Sequence, residues 1–149
     1  MVSVGIDDKL IFAAQNKELD AVKQLLKEGA NPNAKDTQAL GWAVINKDDS
    51  MVELLLQRGA NPNAKDTQAL IEAVHQDAFE VVRFLIQYGA FLDAQDGKAL
   101  KKAVDKKNIA MVELLLRNGA KTNFLNGVQR SWVKKHVLSK MTAVNQSKH

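Results

Sequence analysis

The residues that could do chemistry are few and poorly spaced for it. His75, His136 and His149 are the only histidines, no two of them stand at ligand spacing, and the chain has no cysteine. That removes thiolate metal sites, disulfides and a cysteine nucleophile together. No Gly-x-x-x-x-Gly-Lys-Ser/Thr or Gly-x-Gly-x-x-Gly run is present to cradle a phosphate. Acids are numerous, but most recur at a fixed interval, as Asp36, Asp66 and Asp96 do. Such a row reads as helix caps or solvated surface, whereas catalysis needs unlike groups converging in a pocket. No catalytic residue, metal ligand or cofactor site is therefore assigned, and an enzyme is not expected. Asn145-Gln146-Ser147 matches a glycosylation sequon, which counts for little without a secretory signal.

The interval itself is the informative feature. Asn31 to Leu40 returns unchanged as Asn61 to Leu70, thirty residues on. The same step links Gly29-Ala30, Gly59-Ala60, Gly89-Ala90 and Gly119-Ala120, and also Leu10, Leu40, Leu70 and Leu100. Each block carries two apolar patterns at i, i+3, i+4. The first is Leu40, Ala43, Val44 and the second Val52, Leu55, Leu56, with equivalents in the other blocks. Both spacings put the apolar groups on one helical face, so each block predicts a pair of short antiparallel helices. Asp36, Asp66 and Asp96 are placed to cap the first helix, and Asp48 or Asp49 the second helix of block two. Gly29, Gly59, Gly89 and Gly119 follow the second helix, where a left-handed stop favours a residue without Cβ. Pro32 and Pro62 prevent the helix resuming.

These motifs resemble the ankyrin-repeat family. Its pattern is Thr-Pro-Leu-His-x-Ala, a helix turn, then Val-Val-x-Leu-Leu-Leu-x-x-Gly-Ala-x-x-Asn. The second half is kept in Met51–Asn63 and Met111–Ala120. The first half departs: Gln38–Ala43, Gln68–Ala73 and Lys98–Ala103 keep only the Leu and the Ala. The family repeat is about 33 residues, and the deficit falls where the β-turn finger would project. The resemblance implies an all-α solenoid of stacked helix pairs with shortened finger loops. The expected repeats are 8–36, 37–66, 67–96 and 97–126. Terminal repeats of such arrays are atypical.

Charge is unevenly distributed. Residues 1–120 hold 15 Lys and Arg against 17 Asp and Glu, whereas residues 121–149 hold six Lys and Arg and no acid. Residues 127–141 break the repeat, with Val128, Trp132, Val133, Val137, Leu138 and Met141 on a broad helical face. They are expected to form a C-terminal helix that caps repeat four. The alternative is a basic amphipathic helix for a polyanion, either nucleic acid or an anionic membrane. Residues 142–149 are expected to be a disordered tail. No apolar run approaches the roughly 18 residues of a spanning helix, and the N-terminus lacks a basic flank and a long apolar stretch. An intracellular monomer is expected, cytoplasmic rather than nuclear; a secreted effector acting in a host cell is the other location compatible with the sequence.

What remains is recognition of a partner protein as an adaptor, inhibitor or effector-type scaffold. The resemblance places binding on the concave side, where first-helix slots vary between repeats. The candidates are Trp42, Ile45, Ile71, Glu72, His75, Lys101, Lys102, Asp105 and Lys106. Trp42 and Ile45 are the natural anchors; against Trp42 stands Phe12 in the same slot, a reason for it to pack inward. Tyr88, Phe91 and Leu92 turn polar or proline slots apolar and form a second candidate patch, either adhesive or a local repacking. Phe79 shares its slot with Leu19 and Ile109 and is expected in the core.

Overall fold

The computed structural model describes residues 4–146. Four helix pairs follow in order: α1 (Ile6–Gln15) with α2 (Leu19–Lys27), α3 (Ala34–Ile45) with α4 (Asp49–Gln57), α5 (Ala64–His75) with α6 (Phe79–Gln87), and α7 (Ala94–Asp105) with α8 (Ile109–Arg117). A 3-10 turn (Thr122–Phe124) leads to a C-terminal helix built from α9 (Gly127–Val133), a π-helical turn (Lys134–Leu138) and α10 (Ser139–Gln146). No strand occurs among the described residues, and the expected class, all-α with ankyrin-type helix pairs, holds. The chain divides into two compact units, residues 1–90 and 91–149.

In the first unit the first helices α1, α3 and α5 pack side by side in one layer, and α2, α4 and α6 pack in another. The i, i+3, i+4 groups face inward: Leu40, Ala43 and Val44 are at most 1% exposed, as are Leu70, Ala73 and Val74. Burying one such leucine contributes about 1.5–3 kcal/mol. The alanines matter for a different reason. Ala13, Ala43 and Ala73 are nearly inaccessible, so a larger side chain there would have to push helices apart.

Helix ends follow one scheme. Behind α4, Ala60 N–H donates to Leu55 O (2.9 Å) and Gly59 N–H to Leu56 O (3.1 Å), which is a Schellman stop. Gly59 supplies the left-handed residue, with φ 94°. Behind α3 the same bonds run from Asp48 N–H to Ala43 O and Lys47 N–H to Val44 O, with Lys47 left-handed at φ 51°. Asp48 then caps α4 by accepting from Met51 N–H at 3.1 Å, so of the two aspartates expected to do this it is Asp48 that does.

The shortened finger is a left-handed turn. Lys35, Asp36 and Thr37 have φ of 51°, 55° and 63°, and Lys65, Asp66 and Thr67 repeat this at 53°, 54° and 64°. Left-handed helical geometry costs a non-glycine residue about 1–2 kcal/mol, so something must hold it. Thr37 and Thr67 are 5% and 1% exposed, and each hydroxyl donates to an amide oxygen, Asn33 Oδ1 at 3.1 Å and Asn63 Oδ1 at 3.2 Å. The aspartates expected to cap the first helices instead lie inside these turns. A capping residue needs extended backbone, which φ near 55° forbids.

The repeated Asn-Pro-Asn explains itself here. Asn31 and Asn61 each accept from the backbone N–H two residues on, Asn33 and Asn63, both at 2.9 Å. Asn33 then clamps the next repeat: its Oδ1 accepts from Asn61 N–H (2.7 Å) and its Nδ2 donates to Gly59 O (2.9 Å). The amide carries an acceptor and a donor on separate atoms, which a carboxylate does not. Asn63 Nδ2 donates to Gly89 O at 3.0 Å in the same manner.

The second unit varies the scheme. Asp93 stands in the Asn33 slot and accepts from Lys121 N–H at 2.9 Å, keeping the acceptor half of the clamp. Gly97 (φ 71°) stands in the threonine slot, and a Cβ there would lie 3.1 Å from Phe124. Asn108 caps α8 through Met111 N–H. The C-terminal helix opens with a reciprocal capping box between Asn126 and Gln129. It lies against α7 at its start and α8 at its π turn, burying Val133 and Val137 to 1%. Trp132 is half-buried, with Lys107 Nζ 4.9 Å from its ring centroid and the His136 ring tilted beside it at 5.1 Å. Val128, expected on the covered face, is 78% exposed. The helix α10 runs on to Gln146, across the start of the expected tail, and residues 147–149 lie outside the described residues.

Candidate protein-interaction site

Trp42 and Ile45 project from α3, and Glu72 from α5, one repeat on in the Trp42 slot. The side-by-side packing of these helices leaves a cleft of ≈ 250 Å³ in the first unit, lined by Trp42, Val44, Ile45, Gln68, Ala69 and Glu72. Asp36, Thr37 and Lys65 of the two left-handed turns complete its rim. Ile45 is 51% exposed and Trp42 half-buried. The floor is thus apolar and aromatic, with one carboxylate held in place. Glu72 Oε1 accepts from Gln76 Nε2 at 2.8 Å. Gln76 also donates to Ile45 O at 3.5 Å, leaving its own Oε1 buried without a partner. An unmatched buried oxygen costs about 1–3 kcal/mol, and here it accompanies a fixed Glu72.

The predicted residues fare unequally. Trp42, Ile45 and Glu72 line one cleft. Ile71 does not: at 3% exposure it is a core residue, because its slot on α5 turns into the helix layer. His75 is exposed at the end of α5 and does not line the cleft. In the second unit Lys101 and Lys102 are half-buried and Lys106 exposed. Asp105 accepts from Gln129 Nε2 at 2.8 Å, so it fastens the C-terminal helix. Tyr88, in the first unit, is half-buried; Phe91 (66% exposed) and the half-buried Leu92 belong to the second. Phe79 is 37% exposed, less covered than a core position. Phe12 was missed. At 64% exposure it shows that the Trp42 slot points outward, opposite to what its presence there implied. Among the described residues no group of three or more His, Cys, Asp or Glu could hold a metal ion.

The family model for ankyrin repeats, described as three copies, matches residues 7–66 and 40–126. The chain belongs to the ankyrin-repeat family. A comparison with curated proteins gives no match. Ankyrin repeats are in general protein–protein interaction modules, and the family is typically a non-enzymatic scaffold. No helix among the described residues is long and apolar enough to cross a membrane.

Proposed function

We propose that this ankyrin-repeat chain is an adaptor, inhibitor or effector-type scaffold that binds a partner protein through the α3/α5 cleft. The observation that carries the reading is the pairing of a half-exposed tryptophan and an exposed isoleucine with a carboxylate already oriented by Gln76. Aromatic anchors that a partner desolvates fully supply much of an interface's binding energy, and Trp42 is the one aromatic residue lining the cleft. Glu72 adds a fixed charge that selects for a cation beside the partner's apolar contact. His75 and Phe12, exposed at equivalent or neighbouring slots of α5 and α1, extend the surface on either side.

The test is affinity capture with the whole chain, followed by calorimetry on the captured protein with wild type and a Trp42→Ala, Ile45→Ser variant. The reading expects a loss of more than about 2 kcal/mol of binding energy with an unchanged melting profile, since Ile45 is exposed and Trp42 lies outside the fully buried core. Affinity that survives both changes removes the cleft as the binding site.

A further inference from the structure

The second unit presents a surface of different chemistry. Its cations outnumber its acids by 12 to 4, and three of those acids are occupied internally: Asp93 by Lys121 N–H, Asp105 by Gln129 and Glu113 by Arg117 at 2.7 Å. Among the described residues Arg130, Lys134, Lys135 and Lys140 take part in no ion pair. Two of these four border a cleft of ≈ 470 Å³ between the C-terminal helix and the 3-10 turn, lined by Thr122, Arg130, Val133, Lys134, Leu138 and Thr142, with Ser139 beside them. The hydroxyls of Ser139 and Thr142 donate to Lys135 O and Leu138 O, both at 2.8 Å. Their protons are spent, so the Arg130 guanidinium, the Lys134 ammonium and the Thr122 hydroxyl are the side-chain donors left for an anion.

We propose that this cleft binds an acidic polypeptide segment, with carboxylates on Arg130 and Lys134 and one apolar side chain against Leu138. Leu138 is 38% exposed, so the floor offers apolar area that a phosphate backbone would leave unused. No aromatic side chain lines the cleft, which removes the stacking platform that single-stranded nucleic acid favours. An anionic membrane needs a free apolar helix face, and Val133 and Val137 have already given theirs to α7 and α8. An acidic segment with an embedded apolar residue matches both the charge and the floor.

The probe is a fluorescein-labelled peptide alternating Glu with Leu, titrated against the full-length chain by polarisation, with its Gln-for-Glu counterpart as control. Binding should occur at low salt, weaken as salt screens the charges, and be absent for the Gln peptide. Arg130→Glu with Lys134→Glu should weaken it at least about tenfold, and Leu138→Ser more mildly. Lys101→Glu with Lys102→Glu, an equal charge change elsewhere in the unit, should leave it near wild type. Trp42→Ala should not affect it, which keeps this site separable from the α3/α5 cleft. Far-ultraviolet circular dichroism on every variant, those at the half-buried Lys101, Lys102 and Trp42 included, checks that folding is intact. The proposal is overturned by any of four results: no peptide binding at low salt, equal losses in the two charge-reversed pairs, tighter binding of an oligonucleotide of matched charge, or tighter binding of phosphatidylserine vesicles.

Discussion

The two compact units solve the same construction problem with different residues. Residues 1–90 hold 9 Lys and Arg against 13 Asp and Glu, and join successive repeats with amide clamps at Asn33 and Asn63. Residues 91–149 reverse the charge balance, keep half a clamp at Asp93, replace the left-handed threonine by Gly97, and finish with a helix in place of another repeat. In the first unit strain at Thr37 and Thr67 is offset by buried hydroxyl bonds. In the second, Gly97 avoids the strain at the threonine slot alone, Gln95 and Asp96 keeping φ of 52° and 55°, and Phe124 occupies the space. The difference teaches that the finger position demands a left-handed turn whatever residue fills it.

That contrast can be broken most severely in the helix layers, where the units should not differ. Leu70→Ala and Leu100→Ala remove side chains at most 1% exposed, and each should cost about 2–5 kcal/mol in urea denaturation. A cost below 1 kcal/mol at either would mean that the apolar register is not shared. Next comes the finger. Gly97→Thr meets Phe124 at 3.1 Å in a conformation that disfavours a β-branched residue, and should destabilise by about 1–3 kcal/mol. The reciprocal Thr67→Gly loses a hydrogen bond worth about 0.5–1.5 kcal/mol but relieves left-handed strain of about 1–2 kcal/mol. Its melting temperature should therefore barely move. If Gly97→Thr were neutral, the packing account of Phe124 would be wrong.

The clamps give the next effects in size. Asn33→Ala removes the partners of Asn61 N–H, Gly59 O and the buried Thr37 hydroxyl, and should cost about 1–3 kcal/mol. Asp93→Asn restores the donor that the second unit lacks and should stabilise by about 0.5–1 kcal/mol; a loss of stability there would show that the carboxylate charge itself is needed. Smallest of all, Lys35→Ala breaks a surface ion pair with Asp8 at 2.6 Å in which both side chains are well exposed, so thermal melts should shift by less than about 1 kcal/mol equivalent.

Much of this was legible in the sequence because period carries it. Leu40, Ala43 and Val44 recur at helical spacing, and the glycines after each second helix mark the stops. The left-handed finger turn was not legible. Nothing in Lys-Asp-Thr announces three consecutive positive φ values, and the buried threonine hydroxyl that holds them pairs with an asparagine four residues back. The roles of Asn33 and Asp93 were hidden for a similar reason: their partners lie 26 or 28 residues away. At the candidate site, Trp42, Ile45 and Glu72 were readable as variable slots of one face, whereas Ile71 was misplaced by its helical phase. Its neighbour Glu72 faces the cleft while Ile71, one residue earlier, turns inward. Asp105 reads as a partner-binding slot in the repeat pattern because the residue it fastens, Gln129, lies beyond the repeats.

The chain has two tryptophans, one in each unit, and that permits a direct test of where a partner docks. In a Trp132→Phe variant all indole emission comes from Trp42. Titration with the captured partner should shift that emission to shorter wavelength and protect it from iodide quenching, as the α3/α5 cleft is covered. Saturable binding with Trp42 emission and quenching unchanged would contradict the account.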